Sequence, residues 1–539
     1  MGGLALLVFG LAGCEGPVEE VAVAEAPVDD RPNILFIVAD DLGFTDIGAF
    51  GSEIATPTLD NLAMNGLRLA NLHAAQACQQ SRVMMMASTG YSRAVESRPQ
   101  FEGGERNNLL SRDWAIIPEL LKDAGYQTFI AGKWDLGWDE GYTPATRGFD
   151  RSFVQVGAAS SFFREIFLLP FGLGFEEDGR SLEFEDLDED FYATDHYTDK
   201  MLEYLREADD GRPWFAFMPV TAPHWPLQLP DDWLDRYAGK YAMGYDALLQ
   251  QRYARGRELG VFPENASLDN FESGVEPWAD LSADEQRKYA RAMEIYAGMI
   301  EHLDMSVGRL VALLEQSGEL ENTVVVFTSD HGASNGEHGA GTGRVPKTGG
   351  PTVPDFIDNS FENFGRMGSF IDHGQGFGAA ATAPFKYMKG SINEGGLRAA
   401  GFVYYPAEIE GGAVSHQFMT MLDFLPTFMN IAGTEHPGAG TFNDREIRDI
   451  QGESAWPYLT GAAETVHDAQ YSVGWSNRGG AALIRGDYKI INTGVPGQRG
   501  GGEWRLYNLV EDPGEHNDLA AEYPGMVSEM AAEWETNWR

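Results

Sequence analysis

Short continuous runs of apolar residues alternate along the chain with longer stretches in which apolar residues recur every three or four positions. The run at residues 33–39 ends on Asp40 and Asp41, and the run at residues 323–327 leads into Asp330. Apolar runs of this length are typical of strands that are buried on both faces of a parallel sheet. Open α/β sheets bind their ligands beyond the carboxyl ends of such strands, so both segments predict a site there.

The longer stretches have the spacing of helices. Residues 116–126 and 289–318 place apolar side chains on one helical face and end near glycine. Together with the apolar runs, they predict an α/β fold with a large, mostly parallel central sheet flanked by helices. Beyond about residue 455 the pattern changes to short β-forming segments between glycine-containing turns, which predicts a smaller β-rich α+β domain at residues 456–539.

The chain is long and strongly acidic. Its 539 residues include 82 acidic and 39 basic side chains, which give a formal net charge of -43, and 43% of them are hydrophobic. A chain of this length and composition buries a large core, which excludes a small interaction module. Its charge repels nucleic-acid phosphates and anionic lipid surfaces, so we expect no nucleic-acid partner.

The first residues form an apolar run that is too short to span a bilayer and that closes on Leu11-Ala12-Gly13-Cys14. This run resembles the signal peptide of a bacterial lipoprotein, at residues 1–13, with cleavage before Cys14 and lipid attached to its thiol. Residues 14–30 are acidic and contain proline, as a tether would be. We therefore expect an exported protein, periplasmic or at the cell surface, that the lipid anchor alone holds at the membrane.

Asp40, Asp41 and Asp330 are the first candidate metal ligands. We expect the two strand ends to bring these three carboxylates together above one sheet. Hard oxygen ligands suit Ca²⁺ or Mg²⁺, so one divalent cation is the expected occupant. An Asp-Asp-Leu-Gly turn alone is also common loop chemistry, and the pairing of two strand ends is what makes the prediction specific.

Cys78 has no disulfide partner, because the chain contains 2 cysteines and Cys14 is assigned to lipid. It begins the segment CQQSR at residues 78–82, which an apolar run and a Thr-Gly at residues 89–90 follow. The segment resembles the sulfatase signature Cys-x-Pro-x-Arg. In that family a maturation enzyme oxidises the cysteine to formylglycine, and a hydroxyl of the hydrated aldehyde attacks the sulfur of the ester.

Further segments extend the resemblance from about Arg31 to the C-terminus. AGKWDLGW contains Lys133, TAPHWP contains His224 and KGSINEGGLR contains Lys389, in the order in which sulfatases carry the corresponding lysines and histidine. The C-terminal segment LYNLVEDPGEHNDLA also resembles the family. The likeness is greatest to bacterial arylsulfatases.

The resemblance implies an alkaline phosphatase-like fold, a catalytic domain at residues 31–455 and hydrolysis of sulfate monoesters. His224 would help to protonate the leaving alcohol, and Asp330 would ligate metal and take the proton of the nucleophile. Lys133, His224 and Lys389 would bind the substrate, a sulfated small molecule or glycan. The implied catalytic residues are Cys78, Arg82, Lys133, Asp135, His224 and Lys389. The implied ligands of one divalent cation, for which Ca²⁺ is favoured, are Asp40, Asp41, Cys78, Asp330 and His331.

Two positions depart from the family pattern. Gln80 stands where the formylglycine-generating maturation enzyme usually meets proline or alanine, and Asp135 stands where the family has a histidine that assists turnover. Loss of a positioned acid or base typically costs ~10²- to 10⁴-fold in rate. Two alternatives therefore stay open: a degenerate sulfatase that binds sulfated ligands with little turnover, and a one-metal phosphoester or phosphonate hydrolase on the same fold.

Overall fold

The computed structural model describes Met1 and residues 29–99, 106–164, 174–208, 211–269, 271, 273–336, 357–477, 480–493 and 502–539. The predicted signal peptide, the lipidation site Cys14 and all of the predicted tether except residues 29–30 lie outside the described residues. Among the helices of the described part, none has an apolar stretch long enough to cross a bilayer.

Strands and helices alternate through the first three quarters of the chain, as the spacing of apolar residues predicts. The strands are β1 (Asn33–Ala39), β2 (Leu67–His73), β3 (Val95–Pro99), β4 (Arg106–Leu110), β5 (Gln127–Lys133), β6 (Arg151–Gln155), β7 (Phe175–Glu177), β8 (Arg180–Leu182), β9 (Trp214–Pro219), β10 (Thr323–Ser329), β11 (Arg398–Tyr404), β12 (Val414–Ser415), β13 (Met419–Thr420), β14 (Gly440–Phe442), β15 (Arg445–Ile447), β16 (Ser472–Asn477), β17 (Gly480–Arg485), β18 (Tyr488–Asn492) and β19 (Arg505–Asn508). The helices are α1 (Pro57–Met64), α2 (Cys78–Ala87), α3 (Tyr91–Ala94), α4 (Ile117–Asp123), α5 (Ala193–Glu207), α6 (Tyr245–Glu258), α7 (Ala283–Ser317), α8 (Gly374–Thr382), α9 (Glu394–Leu397), α10 (Phe424–Ile431), α11 (Trp456–Leu459) and α12 (Pro524–Asn537).

The main sheet has the strand order β12-β2-β11-β10-β1-β9-β5-β6-β7-β8, and β13 also pairs with β2. Its centre, from β10 through β1, β9 and β5 to β6, is parallel. Among the described strands of this sheet, all but β7 and β11 run in one direction. The sheet is therefore mixed with a parallel majority, which confirms the predicted fold class.

Strand β1 lies in the middle of the sheet and is buried on both faces. Ile34 and Phe36 face the layer that contains α2, α4 and α10, while Leu35 and Ile37 face the layer of α5 and α7. Alternate side chains of a strand point to opposite faces, so a continuous apolar run is what a two-sided core requires.

Among the described helices α7 is the longest, with 35 residues, and the sequence marks both of its ends. The Ser282 hydroxyl accepts the N–H of Glu285, whose carboxylate accepts the N–H of Ser282 in return, which forms a capping box. Gly318 ends the helix at φ 77°, a left-handed conformation that glycine adopts without strain.

The C-terminal part forms the antiparallel sheet β16-β17-β18-β19, against which α12 packs. Val473, Leu483 and Ile490 of this sheet belong to the same buried cluster as Phe36 of β1. The smaller C-terminal β-rich region is thus confirmed, and it is joined to the main sheet through a continuous core. The domain boundaries at residues 455 and 456 stay a prediction.

Candidate functional site

Polar side chains collect beyond the carboxyl ends of the central parallel strands. Asp40 and Asp41 follow β1, while Asp330 follows β10 directly. Because Ala39 pairs with Ser329 in parallel register, the two strands end side by side. The backbone N–H of Asp41 donates to Oδ1 of Asp330 at 3.3 Å, which joins the two strand ends as the sequence predicts.

Cys78 is the first residue of α2, and its sulfur points at these carboxylates. The Sγ atom lies 3.4 Å from Oδ1 of Asp40 and 3.3 Å from Nε2 of His331. The preceding residue, Ala77, provides no side-chain cap, so the N-terminus of α2 leaves backbone N–H groups near Cys78 without an intrahelical acceptor. Positive helix-end potential and nearby cations favour an anionic group at this position.

His331 lies between the two groups of carboxylates. Its Nε2 is 3.2 Å from Oδ1 of Asp41 and 3.3 Å from Oδ1 of Asp330. Its Nδ1 lies 2.8 Å from the carbonyl oxygen of Gly332, which suits an Nδ1–H donor and leaves Nε2 facing the cluster. This orientation is the one that a metal-binding imidazole adopts.

Three cations surround the carboxylates. The Nζ of Lys133 donates to Oδ2 of Asp40 at 2.5 Å, and the Nζ of Lys389 donates to Oδ1 of Asp41 at 2.6 Å. Arg82, one helical turn after the cysteine, lies 3.4 Å from Oδ2 of Asp40 and 3.4 Å from Oδ2 of Asp330. Arg82 also donates to the carbonyl oxygen of Lys133 at 2.9 Å, so it connects α2 with the end of β5.

His224 approaches from the loop after β9. Its Nδ1 lies 2.5 Å from the carbonyl oxygen of Trp225, and its Nε2 lies 3.7 Å from Oδ2 of Asp41. Burial lowers the pKa of His224, but Asp41, Asp40 and Cys78 together outweigh it, so the net pKa lies above the ordinary value. The side chain can therefore present a proton on Nε2 toward the cluster.

Asp135 lies just beyond β5, within the field of the same cations. Its backbone has φ 54°, and the side-chain amide of Gln79 donates to its carbonyl oxygen at 3.1 Å. The hydroxyl of Tyr91 donates in turn to Oε1 of Gln79 at 2.7 Å. Gln79 and Tyr91 thus position Asp135, a role that no pattern in the sequence indicates, because the three residues belong to separate elements.

The charged side chains of the cluster shift one another's pKa values. Burial raises the pKa of Cys78, and so does Asp40, but Lys133, Lys389 and His331 together hold it well below its usual value. Burial and then Asp40 raise the pKa of Asp330 to about 7.

The pKa values of two residues next to the strand ends are both raised. Burial lowers the pKa of His331, but Asp330 and Cys78 raise it to about 9. Burial raises the pKa of Asp135 to about 6 despite the opposing charge of Lys133. A crowd of buried carboxylates around one thiol is the arrangement that a bound cation would relieve.

A buried ion network lies behind Lys389. Glu394 accepts from Nζ of Lys489 at 2.8 Å and from Nε of Arg398 at 2.6 Å, and it lies 2.9 Å from Nε2 of His73. Lys489 also lies 2.9 Å from Glu515, which belongs to the C-terminal segment that resembles the family. The resemblance in sequence marks the two segments separately. The fold shows that Lys489 links Glu394 of one segment to Glu515 of the other.

The cluster opens into a cleft of about 1110 Å³. His224 and Lys389 line its inner end, and residues of β18 and β19, including Arg505 and Tyr507, line its outer wall. The C-terminal sheet therefore contributes directly to the surface that a substrate would meet.

Known proteins share this fold and these segments. A family model described as Sulfatase matches residues 32–434. An uncharacterised sulfatase of Schizosaccharomyces pombe is 35% identical, over 94% of this chain and 93% of its own. The chain belongs to the sulfatase family. An arylsulfatase of Klebsiella aerogenes is 33% identical over 76% of this sulfatase and 89% of its own chain.

A solved structure agrees with the fold of this sulfatase. The crystal structure of Ps i-CgsB in complex with k-i-k-neocarrahexaose has a TM-score of 0.65 and 22% identity, and it covers 94% of this chain and 92% of its own. The predicted family and fold are confirmed. Family membership assigns the hydrolysis of sulfate esters to this sulfatase, and its Asp, Cys and His side chains form a cluster that could hold a metal ion.

Proposed function

We propose that this sulfatase hydrolyses sulfate monoesters of aryl or sugar alcohols through a formylglycine formed from Cys78, with one divalent cation bound beside it. The position of the Cys78 sulfur carries this proposal. It lies at a helix N-terminus, 3.4 Å from Oδ1 of Asp40 and 3.3 Å from Nε2 of His331, among residues that bind metal and sulfate by the family resemblance. In this account, Sγ stands in for an oxygen of the hydrated aldehyde.

The donor set fits a divalent cation. Two overlapping groups of side chains have their ligand atoms within 4.8 Å of one another: Asp40, Asp41, Cys78 and His224, and Asp40, Cys78, Asp330 and His331. Each group contains two carboxylates beside the thiol of Cys78 and one imidazole, and carboxylate oxygens suit a hard cation such as Ca²⁺. When bound, the cation would polarise a sulfate oxygen and lower the pKa of the attacking hydroxyl.

The surrounding side chains supply binding and proton transfer. Lys389 and His224 face the cleft, where they bind the sulfate oxygens, and Lys133 and Arg82 offset the charge of Asp40 from below. The proton on Nε2 of His224 passes to the oxygen of the departing alcohol. By the family resemblance, Asp330 accepts the proton that the attacking hydroxyl releases.

Asp135 favours a second candidate, a protein that binds sulfated molecules with little turnover. With its pKa raised to about 6, the Asp135 carboxyl is largely ionised at neutral pH. A carboxylate about 4 Å from a sulfate oxygen repels it by roughly 4 kcal/mol at an effective dielectric near 20. Lys133, Lys389 and a divalent cation oppose this repulsion, so binding is expected to survive even if turnover is slow.

Mass spectrometry tests the nucleophile. The protein is purified from a host with a formylglycine-generating maturation enzyme, and the tryptic peptide of residues 69–82 is analysed; the Cys78→Ser variant is the matched control. We expect formylglycine at position 78 in spite of Gln80. If the thiol alone is found, in the native host as well, the binding candidate replaces the hydrolase.

Matched substrates test the reaction class. The converted protein is assayed with aryl sulfates and aryl phosphates that have the same leaving group, with and without added Ca²⁺. We expect faster hydrolysis of the sulfate, and activity that a chelator removes and Ca²⁺ restores. Much faster hydrolysis of the phosphate would instead support the phosphoester or phosphonate hydrolase.

We also propose that the protein is exported and anchored by lipid at Cys14. The lipobox-like sequence at residues 11–14 supports this proposal. Labelling cells with a radioactive fatty acid should mark the wild-type protein and leave Cys14→Ser unlabelled. Equal labelling of both proteins would contradict the anchor.

A further inference from the structure

We propose that the outer cleft selects sulfate esters whose ring system carries a second anionic group, a carboxylate or a sulfate, and that Arg505 and Lys386 bind this group. The inference rests on the proposed function, because it takes the cluster around Cys78 as the place of the reacting sulfate. Arg505 and Lys386 line the same cleft as Lys389 and His224 but lie outside that cluster.

The two cations differ from Lys389 in the partners that the described residues give them. Lys389 forms an ion pair with Asp41 at 2.6 Å, whereas Nζ of Lys386 donates to the backbone carbonyl of Glu515 at 2.7 Å. Within the described part of the chain, neither Lys386 nor Arg505 has a carboxylate oxygen within 4.0 Å. After the ion pair between Lys389 and Asp41 is subtracted, the charges of Lys386 and Arg505 leave the cleft positive.

Asp518 is the acidic side chain that most influences Arg505, and it has other partners. Its Oδ1 accepts the N–H of Leu506 at 3.1 Å and the N–H of Ala520 at 2.9 Å. Tyr507 lies beside the guanidinium of Arg505 and raises its pKa, and the guanidinium stays exposed. A planar guanidinium of this kind binds carboxylates and sulfates through paired N–H donors.

The positive charge of the cleft contrasts with the negative charge of the whole protein. With a net charge of -43, the protein as a whole repels anionic ligands. A preference for a substrate with two negative charges can therefore come only from a local surplus of cations near the site. The cleft that contains Lys389 and His224 has such a surplus at Arg505 and Lys386.

The cleft is also shaped for a ring system. Its volume of about 1110 Å³ exceeds what a sulfate group needs and is that of a site for a ligand with two or more rings. Tyr387 lines it with 50% of its surface exposed, at a φ of 62° that a tyrosine rarely adopts. The half-buried Tyr91 lines it too, so aromatic surface is available for contact with a ring.

The test uses rigid aryl sulfates that differ at one position. Biphenyl-4-yl sulfates carry a carboxylate, a sulfonate or a neutral carboxamide at the 4′ position, so size and polarity are matched while charge varies. Both kcat/KM with the converted enzyme and the dissociation constant with Cys78→Ser are measured. We expect the carboxylate and the sulfonate to be preferred over the carboxamide by about fivefold, as exposed charge-assisted contacts allow.

Two variants and a control test whether Arg505 and Lys386 cause the preference for the charged probes. Arg505→Gln and Lys386→Gln should each reduce the ratio of carboxylate to carboxamide substrate, and the double variant should bring it close to one. Arg180→Gln removes an exposed charge of the edge strand β8 whose partner is Asp186; neither residue lines the cleft, so this variant should keep the wild-type ratio. Unchanged melting temperatures show that the variants fold, and Arg505 is exposed, so its replacement leaves the core intact.

The outcomes separate this inference from the proposed function. Equal kcat/KM for the charged and neutral probes, or a preference that persists in the double variant, overturns the second-anion site and leaves sulfate hydrolysis intact. Absence of turnover, combined with binding to Cys78→Ser that still prefers the charged probes and loses this preference in Arg505→Gln, overturns the hydrolase and supports the site. A difference in kcat/KM between the carboxylate and sulfonate probes identifies the anion that the cleft prefers.

Discussion

In the segment AGKWDLGW, Asp135 stands where the resemblance to sulfatases leads us to expect a histidine. Its backbone φ of 54° lies in the left-handed region, which aspartate, asparagine and histidine enter more readily than other side chains. We expect Asp135→His to raise kcat for aryl sulfates by about 10- to 100-fold, because it adds a positioned acid or base and removes a negative charge. Steady-state kinetics on protein with a known extent of Cys78 conversion measures this.

Asp135→Asn separates the two contributions of that substitution. Asparagine removes the charge but cannot exchange a proton, so its gain should be smaller than that of histidine. Equal gains in both variants would assign the whole effect to charge. A folded Asp135→His variant that is slower than wild type would contradict a catalytic role at this position.

At the level of single elements, α7 holds the start of α1 through one buried carboxylate. Asp304 accepts the N–H groups of Thr58 and Leu59 at 3.1 Å and 2.7 Å. Burial nevertheless raises the pKa of Asp304 from 3.8 to about 6. The folded protein therefore binds the proton of the Asp304 carboxyl more tightly than the unfolded chain does. The contribution of this proton to the free energy of unfolding is complete below pH 3.8 and is lost as the pH rises through about 6.

Asp304→Asn, which does not titrate, reveals this dependence. We expect the free energy of unfolding of wild type, relative to the variant, to fall by about 1 to 2 kcal/mol between about pH 5 and about pH 7.5. Urea unfolding at both pH values measures it, with Asp188→Asn as an exposed control. A difference that is constant with pH, or that grows with it, would contradict a raised pKa.

The loop at residues 386–393, which carries Lys389, depends on the C-terminal sheet for its position. Glu515 accepts from Nδ2 of Asn393 at 2.9 Å and from the N–H of Glu394 at 3.0 Å, and it lies 2.9 Å from Nζ of Lys489. We expect Glu515→Ala to destabilise the protein by about 2 to 4 kcal/mol, because Lys489 loses one of its two buried partners.

The same substitution should raise KM for an aryl sulfate, since Lys389 would be held less firmly. Glu511→Ala, an exposed glutamate of the same segment, is the control for a general effect. Thermal unfolding and steady-state kinetics measure both consequences. A fall in stability with KM unchanged would show that Glu515 supports the fold without positioning the loop.

These elements also show what the sequence can predict. The meeting of Asp40 and Asp330 follows from two apolar runs that end in carboxylates, because neighbouring parallel strands end at one edge of a sheet. The Cys78 segment is read from its resemblance to the family. By contrast, the contact between Glu394 and Lys489, and the outer wall formed by Arg505, depend on how the C-terminal sheet docks, and no local pattern encodes that docking.

At the scale of the whole molecule, charge is the dominant feature. The 82 acidic side chains outnumber the 39 basic ones, so 43 carboxylates lack a cation even if every lysine and arginine forms one ion pair. Repulsion among them destabilises the compact state relative to the expanded chain, and dissolved ions screen it over about 8 to 10 Å at ~0.1 M ionic strength and over shorter distances at higher ionic strength.

We therefore expect the melting temperature to rise by several degrees when NaCl increases from about 0.02 M to about 0.5 M at constant Ca²⁺, because screening weakens the repulsion more than it weakens the ion pairs. Differential scanning calorimetry measures this, and KCl at equal concentration should act alike, since screening depends on ionic strength. Sucrose is the control for a general solute effect. A melting temperature that falls with salt would mean that the surface ion pairs, such as Arg236 with Glu301, contribute more to stability than the surplus carboxylates take away.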